Sequence, residues 1–268
     1  MNWLLNQEPI VRLGCFCLIF LAMFVWERVA PRRRLTLRHK QRFVSNLLLA
    51  AINTVLLRLL PGVAAVAVAV RLEQHPAGLL YLFDLPRWLH IVLAFVLLDL
   101  VVYTQHLLFH IVPWCWRMHR VHHSDEGFDV STGVRFHPLE ILLSMLIKMG
   151  AVLLIGAPVA AVIIFEVILN ATSLFNHGNV KFNAALDRLL RILIVTPDMH
   201  RVHHSVIRRE TDSNFGFNFS FWDRLFGTYK AQPDAGHQAM QIGLTEYHGR
   251  ATINILSLLI QPFKQSRG

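Results

Sequence analysis

Long apolar runs alternate with shorter polar stretches along this chain, and the runs set the elements to expect. Residues 10–26 are apolar apart from Arg12, enough for a membrane span, and the sequence then turns basic with Arg28, Arg32, Arg33, Arg34, Arg38, Lys40 and Arg42. A basic excess beside a span marks its cytoplasmic side. No Lys or Arg precedes Arg12 and no A-x-A site follows, so an uncleaved helix is expected rather than a signal peptide. Residues 43–70 are a second apolar segment, interrupted by Arg58 and Pro61-Gly62: one kinked helix, or an interfacial helix followed by a span. The loop 71–87 sets two Arg against Glu73 and Asp84, lacks a basic excess and is expected outside. A third apolar segment starts at Trp88 and ends in His106 and His110, back on the cytoplasmic side.

Residues 141–175 are apolar around a break at Gly156-Ala157-Pro158, which predicts two antiparallel helices joined at the far side. Each arm is slightly short of the ~20 residues a span needs, so a re-entrant hairpin is the alternative. Lys148 and Glu166 are equidistant from Ala157 and share one depth in a symmetric hairpin. Charges in lipid are paired, which predicts a Lys148–Glu166 contact. Phenylalanine at 215, 217, 219 and 221 predicts an extended piece with one aromatic face, either walling a lipid channel or packing against helices. Residues 252–263 read as a short interfacial or packing helix.

The fold expected is all-α: an integral-membrane helical bundle with a cytoplasmic histidine-rich helical cap. No low-complexity linker divides it. Residues 1–98 hold the N-terminal membrane helices and basic loop, 99–250 the histidine region with its inserted hairpin, and 251–268 the C-terminal apolar helix and tail. A hydrophobic content of 54% and a mean hydropathy of +0.44 fit a membrane protein. The net charge of +9 raises nucleic acid as a partner, but the cations cluster beside apolar segments, where they would meet anionic headgroups. Nucleic-acid binding is therefore not expected. Cys15, Cys17 and Cys115 form neither a CxxC pair nor a zinc-finger spacing.

The chemistry lies in a repeat. Met118-His119-Arg120-Val121-His122-His123-Ser124 returns as Met199-His200-Arg201-Val202-His203-His204-Ser205, and both copies read HxxHH. On a helix, positions i, i+3 and i+4 share one face, so each copy projects three imidazoles together. His106 and His110 add an i, i+4 pair. Neutral imidazole is the commonest metal ligand, and clustered imidazoles without metal leave ring nitrogens unpaired. Eight are too many for one tetrahedral zinc, and two ions fit better. His137 and His177, at the two ends of the hairpin, are further candidate ligands, the alternative for both being a hydrogen-bonded helix-terminal role. A zinc peptidase needs Glu directly after the first His of HExxH. Leu107, Arg120 and Arg201 stand there instead, and neither a GxSxG elbow nor a P-loop is present. Asp99, Asn214 and Asp223 are candidates for orienting the rings from behind, with an Asp99–Arg58 ion pair as the alternative for Asp99.

HxxxH followed by two HxxHH boxes, with the flanking Phe136-His137-Pro138-Leu139-Glu140, Asn176-His177-Gly178-Asn179, Asn214-Phe215-Gly216 and Trp222-Asp223-Arg224-Leu225-Phe226-Gly227-Thr228, resembles the sterol desaturase and fatty acid hydroxylase superfamily of integral-membrane di-iron enzymes. The resemblance runs from about residue 99 to 228, and the three principal motifs show no departure. It implies metal ligands at His106, His110, His119, His122, His123, His200, His203 and His204, with two iron ions as cofactor and zinc possible in purified protein. It also implies oxygen-dependent hydroxylation or desaturation of a lipid, and electrons from an external ferredoxin-like donor or reductase. The expected location is a bacterial inner membrane, with the histidines facing the cytoplasm. A zinc-dependent membrane hydrolase or isomerase using the same cluster is the rival reading, and a metal carrier the third.

Overall fold

The computed structural model describes residues 2–34, 39–60, 62 and 64–265, so Arg38 and Pro61 of the stretches above lie outside the described residues. The main helices are α1 (Asn2–Val29), α2 (His39–Leu59), α3 (Ala65–Gln74), α4 (Arg87–Ile111), α5 (Pro113–His123), α6 (Pro138–Ile155), α7 (Val159–Asn176), α8 (Ala184–Leu190) and α9 (Pro197–His203). Isolated bridges are the only β pairing among the described residues. The fold is all-α, as the sequence predicts.

Five helices are long and apolar enough to cross a membrane, lying within α1, α2, α4, α6 and α7, and they make this a multi-pass membrane protein. The C-terminal ends of α1, α4 and α7 meet the N-terminal ends of α2 and α6. At that end Glu27 of α1 accepts from Val130 N and Asn179 N, both at 2.7 Å, and Arg42 of α2 pairs with Asp125 at 2.7 Å and with Asp129. At the opposite end Gly156 closes α6 with φ +77° and its carbonyl accepts from His90 Nε2 at 2.9 Å. Gly78 (φ +105°) lies so close that a Cβ there would stand 2.4 Å from Gly156 N. Only glycine allows this contact.

The segment 43–70 becomes two helices, but the long one comes first. α2 spans, whereas the ten residues of α3 rise only ~15 Å and pack Ala65, Ala69 and Leu72 onto α6 and α7. The predicted Lys148–Glu166 pair forms at 2.8 Å. Glu166 is also bound by Arg12 of α1 at 2.7 Å, a partner 154 residues away that hairpin symmetry does not reveal.

Part of the basic stretch has a different role from the expected one. Besides Arg42, Arg32 pairs with Asp198 at 3.1 Å and Arg33 donates to Met240 O at 2.8 Å. Arg42 and Arg32 give countercharge to the buried carboxylates Asp125, Asp129 and Asp198 beside the histidine boxes, and Arg33 ties down the chain at Met240. The aromatic stretch is extended only in part: the chain bends at 217–218, Phe219 makes one bridge with Ile194, and Phe221 opens a short helix (Phe221–Leu225). The tail packs rather than floats. Leu258 sits against Leu49 and Val121, and Arg120 donates to the carbonyls of Gln261 and Lys264.

Candidate metal centre

Four elements deliver imidazoles to one place. α4 carries His106 and His110 on adjacent turns at its end. Pro113 sits in the first turn of α5, where its missing N–H costs nothing, and α5 presents His119, His122 and His123 in its last turns. His177 follows the last residue of α7. Thr196 caps α9 by accepting from Met199 N, Pro197 follows it, and the helix presents His200 and His203 with His204 at its end.

The nine rings form two groups. His106, His110, His119, His123 and His203 make one, and His122, His177, His200 and His204 the other. Within each group one nitrogen per ring lies within 4.8 Å of the others, and every ring is buried. Each box is shared between the groups. His119 and His123, at i and i+4, go to the first group and His122 crosses to the second, while His200 and His204 go to the second and His203 crosses to the first. The repeat therefore builds two interleaved sites rather than one site per copy.

Five Nδ1 atoms are fixed from behind. His106 Nδ1 donates to Phe215 O at 2.8 Å, His203 Nδ1 to Ser213 O at 2.7 Å, His177 Nδ1 to Ser173 O at 2.7 Å and His122 Nδ1 to Arg135 O at 3.2 Å. His119 Nδ1 donates to Glu140 Oε1 at 2.7 Å. A carbonyl only accepts, so the four rings facing one carry their proton on Nδ1 and leave Nε2 a bare lone pair. The Nε2 atoms of His122 and His177 nevertheless face each other at 3.1 Å. Two lone pairs at that separation repel unless a cation lies between them, and a shared ion at about 2.0–2.1 Å from each suits this spacing. Nε2 of His119, His123 and His203, Nδ1 of His200 and both nitrogens of His110 and His204 are buried without a hydrogen-bond partner. Buried polar atoms are rarely orphaned, so the cluster fits metal ions. Burial first, and mutual repulsion second, hold His122, His123, His200 and His204 well below the usual imidazole range. Burial lowers His177 to about 4 and His203 to about 3. Neutral rings are the form that binds metal.

Not every residue singled out in the sequence reaches the rings. His137 lies outside both groups: its Nδ1 accepts from Leu139 N at 3.2 Å as the cap of α6, and its Nε2 donates to Leu259 O at 3.1 Å. With both nitrogens committed it has no lone pair to offer, and the helix-terminal role describes it. Asp99, Asn214 and Asp223 touch no imidazole and act one bond further out. Asp223 accepts from Phe215 N at 2.7 Å and Gly216 N at 2.9 Å. Asn214, at φ +54°, donates to Met199 O at 3.0 Å and Lys230 O at 2.8 Å. Asp99 accepts from Trp222 Nε1 at 2.9 Å and from the N–H groups of Asn218 and Phe219, not from Arg58, which is exposed. Together the three hold the loop whose carbonyls, Ser213 O and Phe215 O, fix His203 and His106. Glu140 escapes the reading of spacing altogether, although it sits in the quoted Phe136–Glu140 segment.

The sequence model of the fatty acid hydroxylase family matches residues 91–228, which contain every clustered histidine. An ornithine lipid hydroxylase of Rhizobium tropici is 30% identical over 180 residues, covering 67% of this chain and 52% of that protein. Human alkylglycerol monooxygenase is 30% identical over 144 residues, 52% of this chain and 30% of that protein. Human cholesterol 25-hydroxylase is 27% identical over 146 residues, 53% of this chain and 51% of that protein. The chain thus spans about half the length of these curated relatives, or less. No solved structure matches the chain. With the matched region covering the two histidine groups and just over half of the residues, the chain belongs to the fatty acid hydroxylase family, within the sterol desaturase and fatty acid hydroxylase superfamily.

Proposed function

We propose that this protein is an oxygen-dependent lipid hydroxylase with a pair of iron ions held by His106, His110, His119, His123 and His203 on one side and His122, His177, His200 and His204 on the other. The observation that carries this reading is the facing pair of bare Nε2 lone pairs on His122 and His177 within a buried set of nine imidazoles. Bound there, iron supplies dioxygen activation for attack on an unactivated C–H bond. The protein's own residues do the rest. Carbonyls and Glu140 fix the ring tautomers, and Phe128, Phe136 and Phe215 pack against the imidazoles and exclude water. In this reading residues 99–250 carry the chemistry, while 1–98 and 251–268 hold it in the bilayer.

The names of the three relatives describe insertion of oxygen, which favours hydroxylation over desaturation. Reduction of dioxygen with one oxygen atom inserted needs two further electrons, so a ferredoxin-like donor or reductase is the proposed partner. Arg32, Arg33 and Arg42 of the basic stretch lie at the same end of the bundle as the histidines, which supports a cytoplasmic centre in a bacterial inner membrane. A zinc hydrolase or isomerase is the alternative that the donor set also allows. Anaerobic purification with iron, followed by oxygen uptake on adding lipid and reductant, tests the proposal. The expected lipid product gains the mass of one oxygen atom. Full turnover with zinc under argon overturns it.

A further inference from the structure

Between the two histidine groups the protein presents one side chain on an unusually firm mount. Phe217 sits in the middle of the loop 214–220, and two fully buried carboxylates grip that loop on either side of it. Asp223 accepts from the N–H groups of Phe215 and Gly216, and Asp99 from those of Asn218 and Phe219. Asn176, the last residue of α7, donates to Phe217 O at 2.7 Å. Gly216 has no room for a side chain, since a Cβ there would lie 2.6 Å from Asp223 Oδ2 and 2.7 Å from Phe219 O. A backbone held this tightly fixes where the intervening ring points.

The ring points at the seam. Its centroid is 6.4 Å from His106 of the first group and 6.4 Å from His200 of the second. Among the described residues no other non-histidine ring contacts both groups. Phe215 stays with the first, and Phe128 and Phe136 with the second. Phe217 is also half-buried, whereas Phe215 is fully enclosed.

The mount reaches toward the membrane middle. Asp99 precedes His106 by seven residues on α4, which puts it ~10 Å back toward the membrane middle. Phe219 goes deeper still, with its ring 5.8 Å from Phe95, which in turn stacks edge-on against Phe165 of α7. Phe217 therefore stands between the lipid-embedded part of α4 and α7 and the place where the two histidine groups adjoin.

We infer that Phe217 is a specificity-determining residue for the lipid chain: its ring closes the bilayer side of the seam and sets which carbon of an alkyl chain comes to rest beside the histidine groups. The inference rests on the hydroxylase reading above. A smaller side chain lets the chain pass further, and a larger one stops it sooner. Pocket walls of this kind discriminate by about tenfold or more per methylene.

The test compares Phe217→Ala, Phe217→Leu and Phe217→Trp with the native protein, in the full chain and with iron bound. Product position is read by mass spectrometry on alkyl lipids of graded length. Metal per protein and thermal midpoint are measured alongside. The expected result is a shift of about tenfold in the ratio of oxidised positions or of kcat/KM between long and short chains, opposite in sign for Ala and Trp, with metal content unchanged. Phe217→Leu carries the comparison if the Ala variant folds poorly. Unaltered position and chain-length preference in all three variants overturn the inference. A native protein that oxidises no lipid refutes the hydroxylase reading itself, before any variant is compared. A readout independent of turnover is photolabelling by a lipid with a diazirine on its alkyl chain. Labelling of residues 214–220 is expected, and labelling confined to the region of Trp116, whose ring contacts His110, His119 and His123 of the first group alone, overturns the inference.

Discussion

His119 Nδ1 donates to Glu140 Oε1 at 2.7 Å, the one hydrogen bond from a clustered ring to a carboxylate among the described residues. Glu140 lies in the first turn of α6, where the helix dipole favours an anion. A carboxylate behind an imidazole raises the basicity of the other nitrogen and locks the ring. Replacing Glu140 by Gln should therefore weaken metal binding about 10–100-fold. Chelator titration followed by metal analysis reads this, and an unchanged release curve would remove Glu140 from the centre.

His137 and His177 flank the same hairpin but differ in environment. His137 has both nitrogens engaged by Leu139 and Leu259, so His137→Ala should keep the full metal complement and cost only about 1 kcal/mol as a lost cap. His177→Ala should lose metal, because its Nε2 faces those of His122 and His200 at 3.1 and 3.0 Å. Metal stoichiometry and melting temperature, measured on the same preparations, separate the two outcomes.

Glu166 is shared by Lys148 of α6 and Arg12 of α1. Glu166→Gln leaves Lys148 without its carboxylate partner, while Arg12 keeps Glu8 at 2.6 Å, and should cost about 3 kcal/mol. Lys148→Met should cost clearly less, since Arg12 still neutralises Glu166. Unfolding in graded detergent denaturant measures both, and a Lys148 variant as damaged as the Glu166 variant would contradict the shared arrangement.

Acid should destabilise the metal-free protein. Burial lowers His177 to about 4 and His203 to about 3, against a free value near 6.5. Below pH ~6.5 the unfolded chain takes up protons that the folded chain refuses, so its proton count is the larger and stability falls with falling pH. The loss should build from about pH 6.5 down to pH 4 for His177 and to pH 3 for His203. Melting temperatures of chelated protein between pH 7.5 and 5 check the sign. A midpoint that rises on acidification would show that these rings are not buried neutral.

Periodicity and repetition made much of this legible in advance. Apolar runs gave the spans because a helix in lipid must satisfy its backbone internally and needs a fixed length. The HxxHH spacing gave the histidines that the structure gathers into two buried groups, because i, i+3 and i+4 share a face, and equal distance from Ala157 gave the Lys148–Glu166 pair. Other features depend on contacts between residues far apart in the chain, which leave no local signal. Arg12 on Glu166, Arg42 on Asp125 and Asp129, and Asp99 on the loop at 218–219 are of this kind.

Local chemistry along the chain determined that this protein is an all-helical membrane bundle with two histidine boxes, since helix period and hydropathy act within a few turns. The tertiary structure alone decided how the boxes interleave into groups of five and four, that His137 caps a helix instead of joining them, and that Glu140 backs His119. Those outcomes depend on where α4, α5, α6, α7 and α9 cross in space, and a crossing is fixed by packing among distant segments rather than by the order of residues in any one of them.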